Sequence, residues 1–519
     1  MIPLSHCRDA LKFLIILVEF AKTKLAQHYV AVLCGALALY IVSCAPGALW
    51  QDSGLIQYRI WHNDIEGFHG LAISHPLFYI LAIGVKYVPL GEFAQRVNLI
   101  SAIAGAVAIA NMFLVVRLWL GKNLPAVVAA VTFALSHTFW RHASIIETYT
   151  LWTTMFLAEL IILLQYTRTR RVHYLYWLGL LSGLSIAVHM LASIPLICYV
   201  FFIAFLLAKK EIHIKNLAII VLLWIAGALP YEYLIVKNII QTGDLTGTLV
   251  SAVFGHRWQA AILNTSLSMG MAKENFLYIL LNFPTPNFLL FFVGCFGFFK
   301  MSSSRCFRNT VLALTILFFL FAFRYTVPDR YVFFIPFYCL VSMLIGLGAN
   351  TLRHQKNLKV PVFLVILFCM LPVGVYAVLP SLAEKMQLDI GTRNDIPYRN
   401  DYKYFLRPWK TGYKGAERFA NEALDLPEDN AVIYADTTTV GPLLYIQEVK
   451  EKRPDIKIIS GTINNKDAPM FDEQSIGQLL EAGLVYVVSP EPGYCPGFVL
   501  DNYDLIRAGI LWQVVKSKE

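Results

Sequence analysis

Charged residues are scarce in this chain, and their scarcity argues against a soluble enzyme. Asp, Glu, Lys and Arg make up 15% of the 519 residues, whereas about a quarter is usual in soluble domains. Hydrophobic residues make up 57%, and long apolar runs recur as far as Leu379 and then stop. We therefore predict an α-helical polytopic membrane domain over residues 1–380. The tail, residues 381–519, has about 140 residues, enough for one small soluble domain.

The sequence also lacks the motifs of several enzyme classes. It has no phosphate-binding glycine loop, no dinucleotide fingerprint and no nucleophile elbow. Only Cys495 of the nine cysteines lies in the tail, so no disulfide framework is expected. No pair of histidines has the spacing of a zinc site. A divalent cation on Asp52 and Glu147 is an alternative without support in the sequence, and we predict no metal and no other cofactor.

Eleven apolar segments approach the roughly twenty residues that a helix needs to cross a bilayer. They cover residues 29–49, 93–117, 124–140, 148–167, 174–191, 193–208, 216–236, 274–299, 309–325, 331–350 and 360–380. The run 76–90 is left over, because it is short, contains Lys86 and ends in Val88-Pro89. Phe13–Ala21 is also too short to span, and we expect an amphipathic helix there on the inner surface.

Basic residues decide how the run 76–90 lies. If the N-terminus is cytoplasmic and 76–90 does not span, the basic loops all face the cytoplasm, as the positive-inside rule requires. Those loops lie at residues 117–122, 168–171, 209–215, 300–308 and 353–359. We therefore expect 76–90 to be a helix in the outer interface, within a loop from residue 51 to 92. The net charge of +9 then reflects orientation in a cell (inner) membrane, not nucleic-acid binding, and the tail lies outside.

Asp52 follows the first apolar run, at the outer mouth of the membrane domain. A carboxylate there is costly unless it has a partner or a task. It could be a general base that takes a proton from an acceptor hydroxyl, since burial at a membrane edge raises the pKa of a carboxylate. The alternative is a helix N-cap or an interfacial ion pair.

Further polar residues fall at the outer ends of predicted spans or in outer loops. They are His75, Arg141, Glu147, Tyr149, His189, Asp329 and Arg330. As a substrate-binding set, the arginines would hold a lipid phosphate and Glu147 would orient it or a sugar hydroxyl. The alternatives are structural: a cap at His75, a packing role for His189, and ion pairs within the two outer loops.

The tail shows the pattern of a small α/β domain. Short strands are predicted at Val432–Ala435, Ile456–Ser460 and Leu484–Val488, with a helix near Val440–Glu451 after the first. A fourth strand is expected at Leu511–Val515. Strands that alternate with helices indicate a small parallel sheet.

Several strings along the chain together resemble a known family. They are Gln51-Asp-Ser-Gly54, Ile73-Ser-His-Pro76-Leu-Phe-Tyr79, Gln95-Arg-Val-Asn-Leu99, Glu147-Thr-Tyr149, Gly183–His189, Val327–Pro336, Tyr404–Tyr413 and Pro442–Gln447. Their order is similar to that of the GT-C membrane glycosyltransferases, in the largely uncharacterised family related to protein O-mannosyltransferases. The resemblance covers most of the chain, and it rests on the order of the motifs more than on any one of them.

The resemblance implies a polyprenyl-phosphate-linked sugar donor and an active site at the outer face. It implies that Asp52 is the catalytic acid/base residue and that the first loop forms interfacial helices. The chain departs from the family pattern at Gly54-Leu55, where an acidic residue commonly follows the glycine, and a metal-dependent mechanism is accordingly less expected. A single proline follows His75 where related sequences often have two.

The sequence therefore predicts an inverting, mannosyltransferase-like glycosyltransferase with Asp52 as general base. Its partners would be the lipid-linked donor, membrane lipids and a hydroxyl acceptor on a protein, lipid or glycan, with no nucleic acid. One rival is a transporter or lipid flippase, which would place charges near the bilayer midplane, often in repeated halves. The other is a non-catalytic scaffold, which would tolerate loss of Asp52.

Overall fold

A computed structural model of the chain describes residues 23–67, 69–255, 258–300, 305–353, 362–391, 393, 395–463 and 470–517. The amphipathic helix expected at Phe13–Ala21 lies outside these residues. Within them, eight helices are long and apolar enough to cross a membrane, or up to ten if each of two bent pairs is one span. The eight are Lys24–Ser43, Phe93–Leu120, Tyr149–Thr169, Met190–Ala208, Ile214–Thr242, Arg305–Arg324, Arg330–Arg353 and Val362–Lys385.

Two predicted spans, 124–140 and 274–299, are each formed by a pair of helices with a sharp bend between them. Asn123–Ala134 and His137–Ser144 meet at 65°, and Met269–Asn282 and Pro286–Lys300 meet at 108°. The second break falls at Phe283-Pro284-Thr285-Pro286, where each proline removes an amide donor and disfavours helix in the residue before it.

The first helix also ends earlier than predicted, at Ser43 instead of residue 49. Pro46 follows Ala45, and a residue that precedes proline is disfavoured in the α region. The chain therefore leaves the helix before the Ala48–Trp50 stretch, which is buried. This early exit leaves room for a separate helix that carries Asp52.

The helix His173–Val188 corresponds to the one remaining predicted span, 174–191, although it has only 16 residues. Before it, Arg170 pairs with Glu211 at 2.7 Å, and Glu211 lies just after the helix Ser193–Ala208. After it, the ring of His189 stacks on His75 in the first loop. The chain therefore crosses the bundle through His173–Val188 and returns through the next helix.

One end of the bundle carries basic loops. Arg168 donates a hydrogen bond to the carbonyl oxygen of Trp119 at 3.4 Å, which joins the C-terminal ends of the helices Tyr149–Thr169 and Phe93–Leu120. Arg170 and Glu211 lie at this same end. His75 and His189 lie at the opposite end. The gathering of these basic loops agrees with the charge argument, while the compartment that each end faces stays a prediction.

The first loop contains two helices and two short 3₁₀ turns. The Asp52 helix, Gln51–Trp61, comes first, and Leu71–Ile73 forms a turn. The helix Pro76–Ile83 continues as the 3₁₀ turn Gly84–Tyr87. Twelve helical residues reach about 18 Å, too short to cross a bilayer.

The far end of this short segment returns to the Asp52 helix. Lys86 Nζ donates hydrogen bonds to the carbonyl oxygen of Trp61 at 2.6 Å and to Asn63 Oδ1 at 3.0 Å. The expectation that 76–90 does not span therefore fits the structure. Its position in the outer interface stays a prediction.

Small residues bring membrane helices into close contact. A Cβ atom built on Gly183 would lie 2.1 Å from the carbonyl oxygen of Trp224, and one on Gly227 would lie 2.3 Å from that of Leu180. Only glycine permits such an approach between His173–Val188 and Ile214–Thr242, the small-residue packing common in membrane helices. Two more short helices, Leu245–Phe254 and Gln259–Ile262, follow the helix Ile214–Thr242.

The tail contains a five-stranded sheet, with strands β1 Val432–Tyr434, β2 Lys457–Ile459, β3 Val485–Val487, β4 Tyr503–Ala508 and β5 Leu511–Lys516. The strand order in the sheet is β2-β1-β3-β5-β4. The helices are Asp401–Leu406, Gly415–Asp425, Val440–Leu444, Ile476–Ala482 and Gly497–Asn502, with a π-turn at Tyr445–Val449.

The first three strands are parallel, as predicted, but the sheet is mixed. β5 pairs antiparallel with both β3 and β4. β4 was not predicted from the sequence, and β5 was expected in a parallel sheet. Gly509, with φ +63°, turns the chain between β4 and β5, and it was the available signal for a hairpin.

Candidate active site

Three carboxylates from separate elements meet at the end of the bundle away from the basic loops. Asp52 lies in the first turn of the Asp52 helix, Glu147 lies just before the helix Tyr149–Thr169, and Asp329 precedes the 3₁₀ turn Arg330–Phe334. Ser53 Oγ donates to Glu147 Oε1 at 2.9 Å, which joins the first loop to the second. The charge of Asp52 raises the pKa of both other carboxyls, so the three groups share one site.

Burial raises the pKa values of all three carboxyls. Desolvation, followed by the charge of Asp52, raises the pKa of Glu147 to about 8. The same two causes raise the pKa of Asp329 to about 7. Desolvation raises the pKa of Asp52 as well, although its side chain is exposed. A carboxyl that solvent reaches but protein surrounds is in a cleft, where a general base retains access to substrate.

Glu147 is fixed through its backbone. Its amide donates to Ser101 Oγ at 2.9 Å, and the Ser101 hydroxyl donates to the Glu147 carbonyl oxygen at 3.0 Å. Ser101, a small hydroxyl residue inside an apolar helix, was not predicted from the sequence, and neither was the role of Ser53 beside Asp52. Nothing in the local pattern around Ser101 signals this contact.

Arg141 supplies positive charge to the site. It is 4% exposed, and its NH1 donates to the hydroxyl of Tyr331 at 2.6 Å. Its charge lowers the pKa of Glu147 and of Asp329, against the larger effect of burial. Its guanidinium also lies 5.6 Å from the ring centre of Tyr404 and 5.2 Å from that of Phe405, both in the tail. The simple Arg141–Glu147 ion pair, one alternative from the sequence, is absent from the ion pairs of the described residues.

Two histidines and a tyrosine line up beside the carboxylates. The rings of His75 and His189 stack with centroids 4.7 Å apart, and Tyr149 contacts His189 at 5.1 Å. The Leu191 amide donates to His189 Nδ1 at 3.0 Å, so Nε2 carries the proton of a neutral ring. Burial, His189 and Arg59 hold the pKa of His75 well below its usual value. A neutral His75 can donate an N–H to a ligand but brings no charge.

Arg330 pairs with a residue outside its own loop and not with Asp329, which was the structural alternative drawn from the sequence. It forms an ion pair with Glu274 and lies over the ring of Tyr278 at 5.8 Å. Asp329, the neighbouring residue, instead joins the carboxylates. Among the ion pairs of the described residues, Arg330 therefore pairs with Glu274 and not with Asp329.

Within the described ranges, no three His, Cys, Asp or Glu side chains are arranged to hold a metal ion. The charges of these carboxylates affect one another's pKa values, although the three side chains are not arranged as ligands of one metal ion.

Comparison with known proteins gives the fold and a sequence relationship. Residues 69–213 match the family described as the N-terminal domain of protein O-mannosyl-transferase TMEM260. Protein O-mannosyl-transferase TMEM260 of Mus musculus is 29% identical over 220 residues, which are 40% of this chain and 30% of that protein. ArnT from Cupriavidus metallidurans, whose crystal structure contains undecaprenyl phosphate, aligns with a TM-score of 0.58 at 12% identity, over 93% of this chain and 97% of ArnT. The chain therefore has the GT-C fold, and part of its sequence is similar to that of a protein O-mannosyl-transferase.

The GT-C fold and the similarity to a protein O-mannosyl-transferase agree with the resemblance drawn from the sequence. The part of the mouse protein that this chain matches is less than a third of that protein's length. The family match includes Arg141, Glu147 and His189, whereas Asp52 and Asp329 lie outside it. The GT-C alignment to ArnT covers nearly the whole chain and concerns the fold alone.

Proposed function

We propose that this GT-C protein transfers a sugar from a polyprenyl-phosphate donor to an acceptor hydroxyl, with Asp52 as general base. One observation carries the proposal: a solvent-accessible carboxylate stands beside two carboxyls and a buried arginine in one cleft. Clefts that collect groups with shifted pKa values are where catalytic acids and bases are found. The alternative of a transporter has no comparable support, since these charges gather at one end of the bundle.

The reaction is a single displacement. Asp52 accepts the proton of the acceptor hydroxyl as that oxygen bonds to the anomeric carbon. The bond from this carbon to the phosphate oxygen breaks, and its electron pair leaves with the polyprenyl phosphate. Attack opposite the leaving group inverts the anomeric centre. Arg141 is placed to stabilise the phosphate charge that develops, with His75 and Arg330 as further donors.

The other carboxyls have different roles in this proposal. With a pKa of about 8, Glu147 is mostly protonated at neutral pH, and it can donate a hydrogen bond to a sugar or acceptor hydroxyl. Asp329 accepts hydrogen bonds from substrate hydroxyls when it is ionised. Tyr149 and His189 form an aromatic wall against which a sugar ring packs.

The substrate class is supported by the relatives. ArnT was crystallised with undecaprenyl phosphate, and the mouse relative is named a protein O-mannosyl-transferase. By extension we propose a polyprenyl-phosphate hexose as donor and a hydroxyl on a protein, lipid or glycan as acceptor. The charge pattern supports a multi-pass cell membrane protein with a cytoplasmic N-terminus, and with the site and tail outside.

The test is transfer by the purified protein. Radiolabelled polyprenyl-phosphate hexoses are incubated with the protein and a membrane extract, and the product and its anomeric configuration are identified. We expect labelled, inverted product, and a loss of about 10²–10⁴-fold in Asp52→Asn. Asp501→Asn, at an exposed tail position, is the control and should behave as wild type. Wild-type turnover by Asp52→Asn would refute the assignment of the base.

A further inference from the structure

The tail makes an unusually close backbone contact with the Asp52 helix. A Cβ atom built on Gly441 would lie 2.6 Å from the carbonyl carbon of Gly54 and 2.8 Å from its Cα. Carbon atoms attract best at about 3.5–4.0 Å, so an alanine at 441 must displace backbone by roughly 1 Å. Gly54 lies in the same helical turn as Asp52. A displacement at Gly441 is therefore passed directly to the proposed base.

The residues just before Asp52 are also held by the tail. The Gln51 amide donates to the carbonyl oxygen of Thr438 at 3.1 Å. Gln51 has φ +56°, a left-handed conformation that is uncommon for residues other than glycine and needs support from its surroundings. Trp50 Nε1 donates to the hydroxyl of Tyr413 at 2.5 Å. The tail thus fixes the conformation from which the Asp52 helix starts.

The tail loop that makes these contacts is itself rigidly held. Asp436 Oδ1 accepts a hydrogen bond from the Thr438 amide at 2.7 Å. Arg393 NH1 donates to Asp436 Oδ2 at 2.7 Å, and this aspartate is buried. A chain of contacts therefore leads from β1 of the sheet to the backbone beside Asp52.

We propose that Gly441 is a positioning residue for the transfer reaction, and that the tail sets where the Asp52 carboxylate stands in the cleft. The proposal rests on the proposed function for its kinetic part. The residues that hold Trp50 and Gln51 are Tyr413 and Thr438, and both lie in the tail. The membrane helices therefore do not make these contacts. A base displaced by about 1 Å from its productive position can lose about 10²-fold in rate.

The test compares Gly441→Ala with Gly477→Ala in the full-length protein. Gly477 lies in another tail helix, and a Cβ there would meet nothing within 4 Å. For Gly441→Ala we expect kcat to fall about 10²-fold while KM for the donor stays within twofold. Amide exchange of the Gln51 region, followed by mass spectrometry, should become faster in Gly441→Ala and remain unchanged in Gly477→Ala.

Wild-type kcat and exchange in a folded Gly441→Ala would overturn the proposal, as would a rise in KM that accounts for the whole loss. If Gly441→Ala does not fold, Tyr413→Phe removes only the acceptor of Trp50 Nε1, and we expect faster exchange with about fivefold lower kcat. Wild-type values for Tyr413→Phe would then reject the idea. Should Asp52→Asn prove active, the proposed base is wrong, while exchange at Gln51 still decides whether Gly441 holds the helix.

Discussion

Glu147→Gln should stabilise the protein at high pH and leave its stability at low pH unchanged. Burial and the charge of Asp52 raise the pKa of Glu147 from 4.5 to about 8. Between these values the unfolded chain carries an ionised glutamate while the folded protein holds a protonated one. The unfolded state then binds fewer protons, so stability falls as pH rises from about 4.5 to 8 and is level above that.

The magnitude follows from the pKa difference. Each pKa unit corresponds to 1.36 kcal/mol, so the penalty at pH 7 is on the order of 3 kcal/mol if the site stays dry. Glu147 is partly accessible, and water reduces this figure, so we expect about 1–3 kcal/mol. The glutamine carbonyl can still accept the hydrogen bond that Ser53 Oγ donates to Glu147. The substitution therefore removes the titration without removing the contact.

The assay is thermal unfolding of the detergent-solubilised protein at several pH values between 5 and 8.5. We expect the Tm of Glu147→Gln to exceed that of wild type by a few degrees at pH 8 and by much less near pH 5. Glu473→Gln, at an exposed carboxyl of the tail, should show no such pH-dependent gap. A gap that is equal at both pH values, or lower stability of Glu147→Gln at pH 8, would refute the reasoning.

Two further predictions concern the bundle and its orientation. Gly183→Ala should lower the free energy of unfolding by about 1–3 kcal/mol, and with it the Tm, because the new Cβ would lie 2.1 Å from the Trp224 carbonyl oxygen. Gly374→Ala, where a Cβ meets nothing within 4 Å, is the control. Equal Tm values for the two variants would contradict this packing. Cysteines introduced at Lys210 and at Glu473, in a background without other cysteines, should react with a membrane-impermeant thiol reagent on opposite sides of the membrane. Labelling of both from one side would reject the predicted topology.

The sequence was sufficient for most of the membrane architecture, for reasons that are local. Apolar runs and basic loops depend on composition within about twenty residues, and the lipid solvent leaves few other options for such runs. The short run 76–90 was recognised for the same reason. The bend at Pro284 and Pro286 was in principle readable, because proline acts on its own neighbours.

Candidate site residues were found singly, but their partners were not. Asp52, Glu147 and Asp329 stand out as carboxyls in an apolar chain, and each comes from a different loop. Their mutual distance depends on how helices from distant parts of the chain pack, and no local pattern encodes it. Arg330 forms its ion pair with Glu274, 56 residues away, and adjacency in sequence does not determine such a pair.

Composition and charge placement by themselves determined that this chain enters a membrane and where its polar residues fall along it, because burial in lipid and the position of basic loops act on short segments. Tertiary packing alone decided that three carboxyls share one cleft, that Arg141 stands between membrane helices and tail, and that Gly441 contacts Gly54. Such contacts join residues far apart in the chain, and their free energies depend on distance, solvent exclusion and fit that only the folded backbone creates.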